Sequence, residues 1–100
     1  MKALLLTTLL SISSLASANE VDDIKDMCAN TAILAYNIAE EYHHGTTVNQ
    51  LNDISESRLE ISMINVLQDY QLEPVTLAIM YQDVCLDNPY MILDLLYQPK

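Results

Sequence analysis

Any chemistry in this chain has to come from a small set of side chains. Cys28 and Cys85 are its two cysteines, and His43 and His44 its two histidines. The histidines follow Glu40 and Glu41 and stand directly before Gly45, the one glycine in the sequence. Carboxylates and imidazoles gathered in one short stretch are the raw material of a metal site or of proton transfer, so their spacing decides. Adjacent helical residues point about 100° apart, which prevents His43 and His44 from gripping one ion together. Only Glu40 with His44, at i and i+4, has chelating geometry, and two ligands do not make a site. The stretch reads instead as a helix C-terminus, with Gly45 as the left-handed stop and both imidazoles where the helix dipole is negative. A modest pH-sensing role stays open, because histidine is the side chain whose charge changes nearest neutrality.

No other catalytic constellation emerges. There is no H-E-x-x-H, no serine or threonine is matched by spacing to a histidine, and the carboxylates recur at the intervals of solvated helix faces. Arg58, close to Glu60, reads as a surface ion pair. We therefore assign no catalytic residue, no metal ligand and no cofactor, and read the chain as a non-enzyme.

The cysteines take their meaning from the N-terminus. Met1-Lys2 gives a short positive start, an apolar and hydroxyl-bearing run extends to about Leu15, and Ala16-Ser17-Ala18 has the small-x-small form accepted by signal peptidase. Residues 1–18 are thus expected to be a signal peptide and residues 19–100 a single domain. The apolar run is shorter than the roughly 20 residues that span a bilayer, so no stable membrane insertion is expected. The expected location is the periplasm, with secretion to the medium as the alternative. In an oxidising compartment an isolated cysteine pair becomes a disulfide, and Cys28 with Cys85 lacks the C-x-x-C spacing of a thiol oxidoreductase.

Charge narrows the choice of partner. Four basic residues face fourteen acidic ones, a formal net charge of −10, and beyond residue 18 only Lys25, Arg58 and Lys100 are basic. Such a chain has no basic footprint for nucleic acid and is repelled by anionic lipid. A protein with a basic surface is the fitting macromolecule, although acidity also serves solubility alone.

The elements that must position these residues are all helical. Glycine is nearly absent and apolar residues recur at helical spacing. A first helix is predicted from about 21 to 44, because Ile24, Cys28, Thr31, Ala35, Ile38 and Tyr42 draw one stripe, with Asp22, Asp23 and Asp26 in its first turn. Thr47-Val48-Asn49-Gln50 has capping-box form and opens a second helix. Were that helix to run on to Tyr70, Cys28 and Cys85 would lie at opposite ends of the bundle, roughly 20 Å apart at 1.5 Å per residue. A bridge allows about 6 Å between Cα atoms. A break near residues 55–57, where Ser57-Arg58-Leu59-Glu60 offers a second box, reverses the chain once more. The spacing thus predicts helices over about 48–55 and 58–71.

Pro74 opens the next helix, apolar on most of its circumference and expected to be the most buried element. Asn88-Pro89 starts a last short helix to about Tyr97. The fold class is a small all-α bundle of four to five helices with one disulfide. The last helix, with Asp94 as its single charge, must be covered by the bundle, by a second copy of the chain, or by a foreign protein. Tyr90, Met91, Leu93, Leu95, Leu96 and Tyr97 are therefore the candidate interaction surface. The six tyrosines read as the rim of a helical core or as interface residues.

Cys28, Ala32, Ala35, Ile38, Gly45 and Thr47 spell C-x3-A-x2-A-x2-I-x6-G-x-T, and Tyr81 precedes the closing Cys85. This pattern resembles a loose group of small exported two-cysteine helical proteins of proteobacteria, a resemblance that implies the scaffold but no biochemical activity. By architecture alone the chain is also similar to periplasmic immunity proteins and to acid-activated periplasmic chaperones. The expectation from sequence is a non-enzymatic exported protein-binding module acting as inhibitor, immunity factor or adaptor, the alternative being an acid-activated chaperone.

Overall fold

In the computed structural model, backbone is described for residues 9–99 and side chains for residues 20–99. Five helices and no strand occur among them: α1 (Leu9–His43), α2 (Val48–Ile54), α3 (Arg58–Tyr70), α4 (Pro74–Asp87) and α5 (Pro89–Tyr97). The break expected near residues 55–57 is present, and the last four helices begin where capping chemistry placed them.

Local hydrogen bonds explain these boundaries. Gly45, at φ 102°, ends α1 in a Schellman arrangement: the Thr46 N–H donates to the Glu41 carbonyl at 3.0 Å and the Gly45 N–H to the Tyr42 carbonyl at 3.2 Å. The Thr47 box is complete, since the Gln50 N–H donates to Thr47 Oγ1 at 3.1 Å and the Thr47 N–H to Gln50 Oε1 at 3.0 Å. The second box is only half formed. Ser57 Oγ accepts from the Glu60 N–H at 3.4 Å, but Glu60 Oε1 takes its backbone N–H from Glu56 at 3.2 Å. Proline opens α4 and α5, and Asn88 Oδ1 caps α5 by accepting from the Met91 N–H at 3.4 Å. The end of α3 is not marked in sequence, because Gln71 takes the left-handed conformation (φ 52°) that glycine adopts more easily.

Two expectations are corrected. α1 begins at Leu9 rather than near residue 21, since the stretch Leu-Leu-Ser-Ile-Ser-Ser-Leu-Ala-Ser-Ala-Asn-Glu holds no glycine or proline to interrupt it. Asp22, Asp23 and Asp26 therefore lie inside the helix, away from the positive end of its dipole. The expected positive start of the signal, Met1-Lys2, lies outside the described residues. The second correction concerns α4, which is not the most buried element. It buries Leu77, Tyr81 and Cys85, but leaves Val75, Ile79 and Leu86 on an exposed outer face. An apolar circumference does not produce burial when neighbours cover only one side.

α1 and α4 form the main helix pair and run antiparallel. The disulfide joins Cys28 to Cys85 (Cα–Cα 5.4 Å), while beyond its far end His43 Nε2 donates to the carbonyl of Leu72 at 2.8 Å. α3 packs Leu59, Met63, Ile64 and Leu67 into the core beside them, and α5 adds Ile92. The Cys28 stripe is the core face of α1: Cys28, Thr31, Ala35 and Ile38 are buried, and Ile24 and Tyr42 pack at its edge. Thr31 satisfies its hydroxyl on the Met27 carbonyl at 2.9 Å, which lets a polar side chain sit on that face.

Candidate functional site: a groove between α1 and α5

α5 carries the most apolar sequence of the four helices after α1, yet only Ile92 is fully buried. Its nine residues turn Ile92 and Leu95 towards the core and leave Tyr90 (63% exposed), Met91 (40%), Leu96 (36%) and Tyr97 (79%) at the surface. The chain after α5 is pinned at one point, where the Arg58 N–H donates to the Gln98 carbonyl at 3.0 Å and ties it to the start of α3.

This partial docking leaves an open groove. Tyr90, Leu93, Leu96 and Tyr97 of α5 face Ile24 and Met27 of α1 around a cavity of about 340 Å³, whose remaining lining is Glu20 and Asp23. A second cavity, of about 430 Å³, lies further along α1 beside Asp26, Asn30, Thr31 and Leu34, with Leu59 of α3 at its base. Asp23, Met27 and Leu96 line both, so the two form one continuous groove. Its floor is apolar, its α1 edge carries carboxylates, and no lysine or arginine lines either cavity.

Four of the six candidate surface residues thus stand together, and two do not. Met91 is exposed on another flank of α5, and Leu95 packs against the core. Sequence reasoning missed the α1 wall. Met27 and Leu34 lie beside the Cys28 stripe and widen the apolar face of α1, a signal that was present but reads as ordinary core padding.

The polar candidates are accounted for by structure. His43 has the Leu72 carbonyl as partner, and a carbonyl only accepts, so Nε2 carries the proton. Its ring also meets Tyr42 edge-on at 5.4 Å. His44 is exposed. Among the described residues no three histidine, cysteine, aspartate or glutamate side chains stand close enough to hold a metal ion. Both cysteines are engaged in the buried bridge. Arg58 is exposed and lines a shallow depression with Asn52, Asp53 and Ile61. Tyr81 shares a 2.7 Å hydrogen bond with the Ser62 hydroxyl, linking α4 to α3. Burial pushes its phenol above the ordinary value, and the Ser62 contact offsets part of that rise.

No known protein family matches the chain, and neither a curated protein nor a solved structure matches it. Among the described residues no helix is long and apolar enough to cross a membrane.

Proposed function

We propose that this chain is a non-enzymatic, exported module that binds another protein in the periplasm, as inhibitor, immunity factor or adaptor, through the face that α5 shares with α1 between Glu20 and Leu34. The observation that carries the reading is the exposure of Tyr90, Leu96 and Tyr97 along an apolar groove in a scaffold held by a buried disulfide. Tyrosine and leucine presented on a rigid frame supply contact area at low entropic cost on binding. The disulfide and the small-x-small sequence before Asn19 support export, as does the likeness to small exported two-cysteine proteins. Cleavage after Ala18 would also return Asp22 and Asp23 to the first turn of α1, where the dipole favours them.

Site-specific photocrosslinking in the native cell tests this. A crosslinker at Asn30, exposed on the α1 rim of the groove, should trap one dominant protein, and one at Ile79, on the outer face of α4, should not. If crosslinkers at exposed positions around the whole molecule trap no protein, the binding reading fails.

One observation favours a second reading, the acid-activated chaperone: α5 puts a single fully buried side chain, Ile92, into the core. In acid its release would expose Leu93, Leu95 and Ile92 to aggregating clients. Suppression of client aggregation near pH 3 and not at pH 7 is the expected result. A protein that stays equally compact and inert in acid rules this reading out.

A further inference from the structure

The groove has a length, a wall structure and a charge, and together they define an occupant. From Glu20 to Leu34 the α1 wall extends about 20 Å at 1.5 Å per residue, or roughly fourteen residues of a facing helix. Both walls are helices, and the described residues contain no strand edge on which an extended peptide could add. A helix laid between α1 and α5 would pack its ridges into theirs as a further bundle member. Two cavities that meet at Met27 and Leu96 suit apolar side chains one to two turns apart, at i, i+4 and i+7. The edge bearing Glu20, Asp23 and Asp26 then faces the flank of that helix.

We infer that the groove between α1 and α5 receives an amphipathic α-helix of the partner protein whose apolar stripe is flanked by lysine or arginine. The inference rests on the protein-binding reading and names the chemistry of the partner. A second copy of this chain is a poor occupant, because its own α5 brings Asp94 and no cation, and the chain as a whole carries a net charge of −10. A cationic flank both answers the carboxylate edge and speeds encounter with so acidic a molecule.

The test titrates the intact, disulfide-bonded protein with three synthetic sixteen-residue peptides. One has a leucine stripe flanked by lysines, one keeps the stripe with glutamates in place of lysines, and one has the lysine composition scrambled. Calorimetry gives affinity, and amide NMR shifts locate the contact. The amphipathic lysine peptide should bind one-to-one, with shifts centred on Ile24, Met27, Leu93 and Leu96. The glutamate peptide should bind at least tenfold more weakly. Asp23→Asn with Asp26→Asn, both exposed and safe for folding, should weaken lysine-peptide binding several-fold at low salt and much less at high salt. Absence of binding, equal binding of the glutamate or scrambled peptide, or shifts centred on Val75, Ile79 and Leu86 would each overturn the inference. Failure here with a protein still trapped by photocrosslinking removes the groove and its cationic helix but keeps the binding module. Failure of both removes the module as well.

Discussion

α3 and α5 pose an instructive contrast. α3 contains Arg58, Glu60, Gln68 and Asp69, yet buries Leu59, Met63, Ile64 and Leu67 completely. α5 has one charged residue, Asp94, yet buries only Ile92 and leaves both of its tyrosines exposed. The more apolar helix is the less buried one. The difference lies in arrangement: α3 concentrates its apolar residues on one stripe that the core can cover, whereas α5 distributes them around its circumference, so that any docking leaves some outside. Exposed apolar surface on an otherwise acidic molecule is where association is expected.

The strongest way to break this contrast is to remove the frame that both helices rest on. Replacing Cys28 and Cys85 by alanine opens a link between residues 57 apart, and on the chain-entropy account this costs about 4 kcal/mol. Guanidinium denaturation of the double variant should show a loss of that order. A loss below about 1 kcal/mol would mean that packing alone holds α1 against α4.

Next in size, Leu67→Ala in α3 should cost about 3 kcal/mol in the same assay, as expected for a fully buried leucine whose neighbours relax into much of the space it leaves. A far smaller cost would show that α3 is as loosely held as α5.

Tyr81→Phe is a smaller perturbation with a distinct signature. Losing the 2.7 Å bond between α3 and α4 should cost about 1 kcal/mol near neutral pH. Because burial raises the Tyr81 phenol, the folded protein holds this proton more tightly than the unfolded chain does. Its contribution is fully present below the unfolded value, about pH 10, and is lost as pH rises through the higher folded value. Denaturation at pH 8 and pH 11 should therefore show an alkaline loss of stability that is reduced in Tyr81→Phe. An identical loss in both proteins would remove Tyr81 as its source.

The smallest expected effect sharpens the contrast most. Tyr97→Ser, at a side chain 79% exposed, should change stability by no more than about 0.5 kcal/mol. The same substitution should abolish the photocrosslinked complex or reduce it at least tenfold. A large stability loss would mean that Tyr97 serves the fold, and an unchanged complex would place binding elsewhere.

Much of this was legible in the residues themselves. Gly45, Thr47, Ser57, Pro74 and Asn88-Pro89 mark helix boundaries because the groups they satisfy, or the dihedral angles they permit, lie within a few positions along the chain. Even the break before α3 followed from local capping joined to one distance limit, the reach of a disulfide. Gln71 escaped notice because its left-handed backbone is imposed by how α3 turns into α4 and not by its own side chain. The exposed outer face of α4 escaped for a related reason, since periodicity reports how apolar a helix is and not how many neighbours surround it.

The sequence by itself therefore determined the five helices, the starts of the last four, the end of the first at Gly45, the cysteine pairing and an acidic surface, all properties of short-range hydrogen bonding, spacing and composition. Only the tertiary structure decided which apolar residues stay in water. Met27 looks like core and becomes a groove floor, and Leu95 looks like surface and packs, half-buried, against the core. Those outcomes depend on the side of α1 left open once α3, α4 and α5 have taken their places, a long-range competition for contact area that no local pattern encodes.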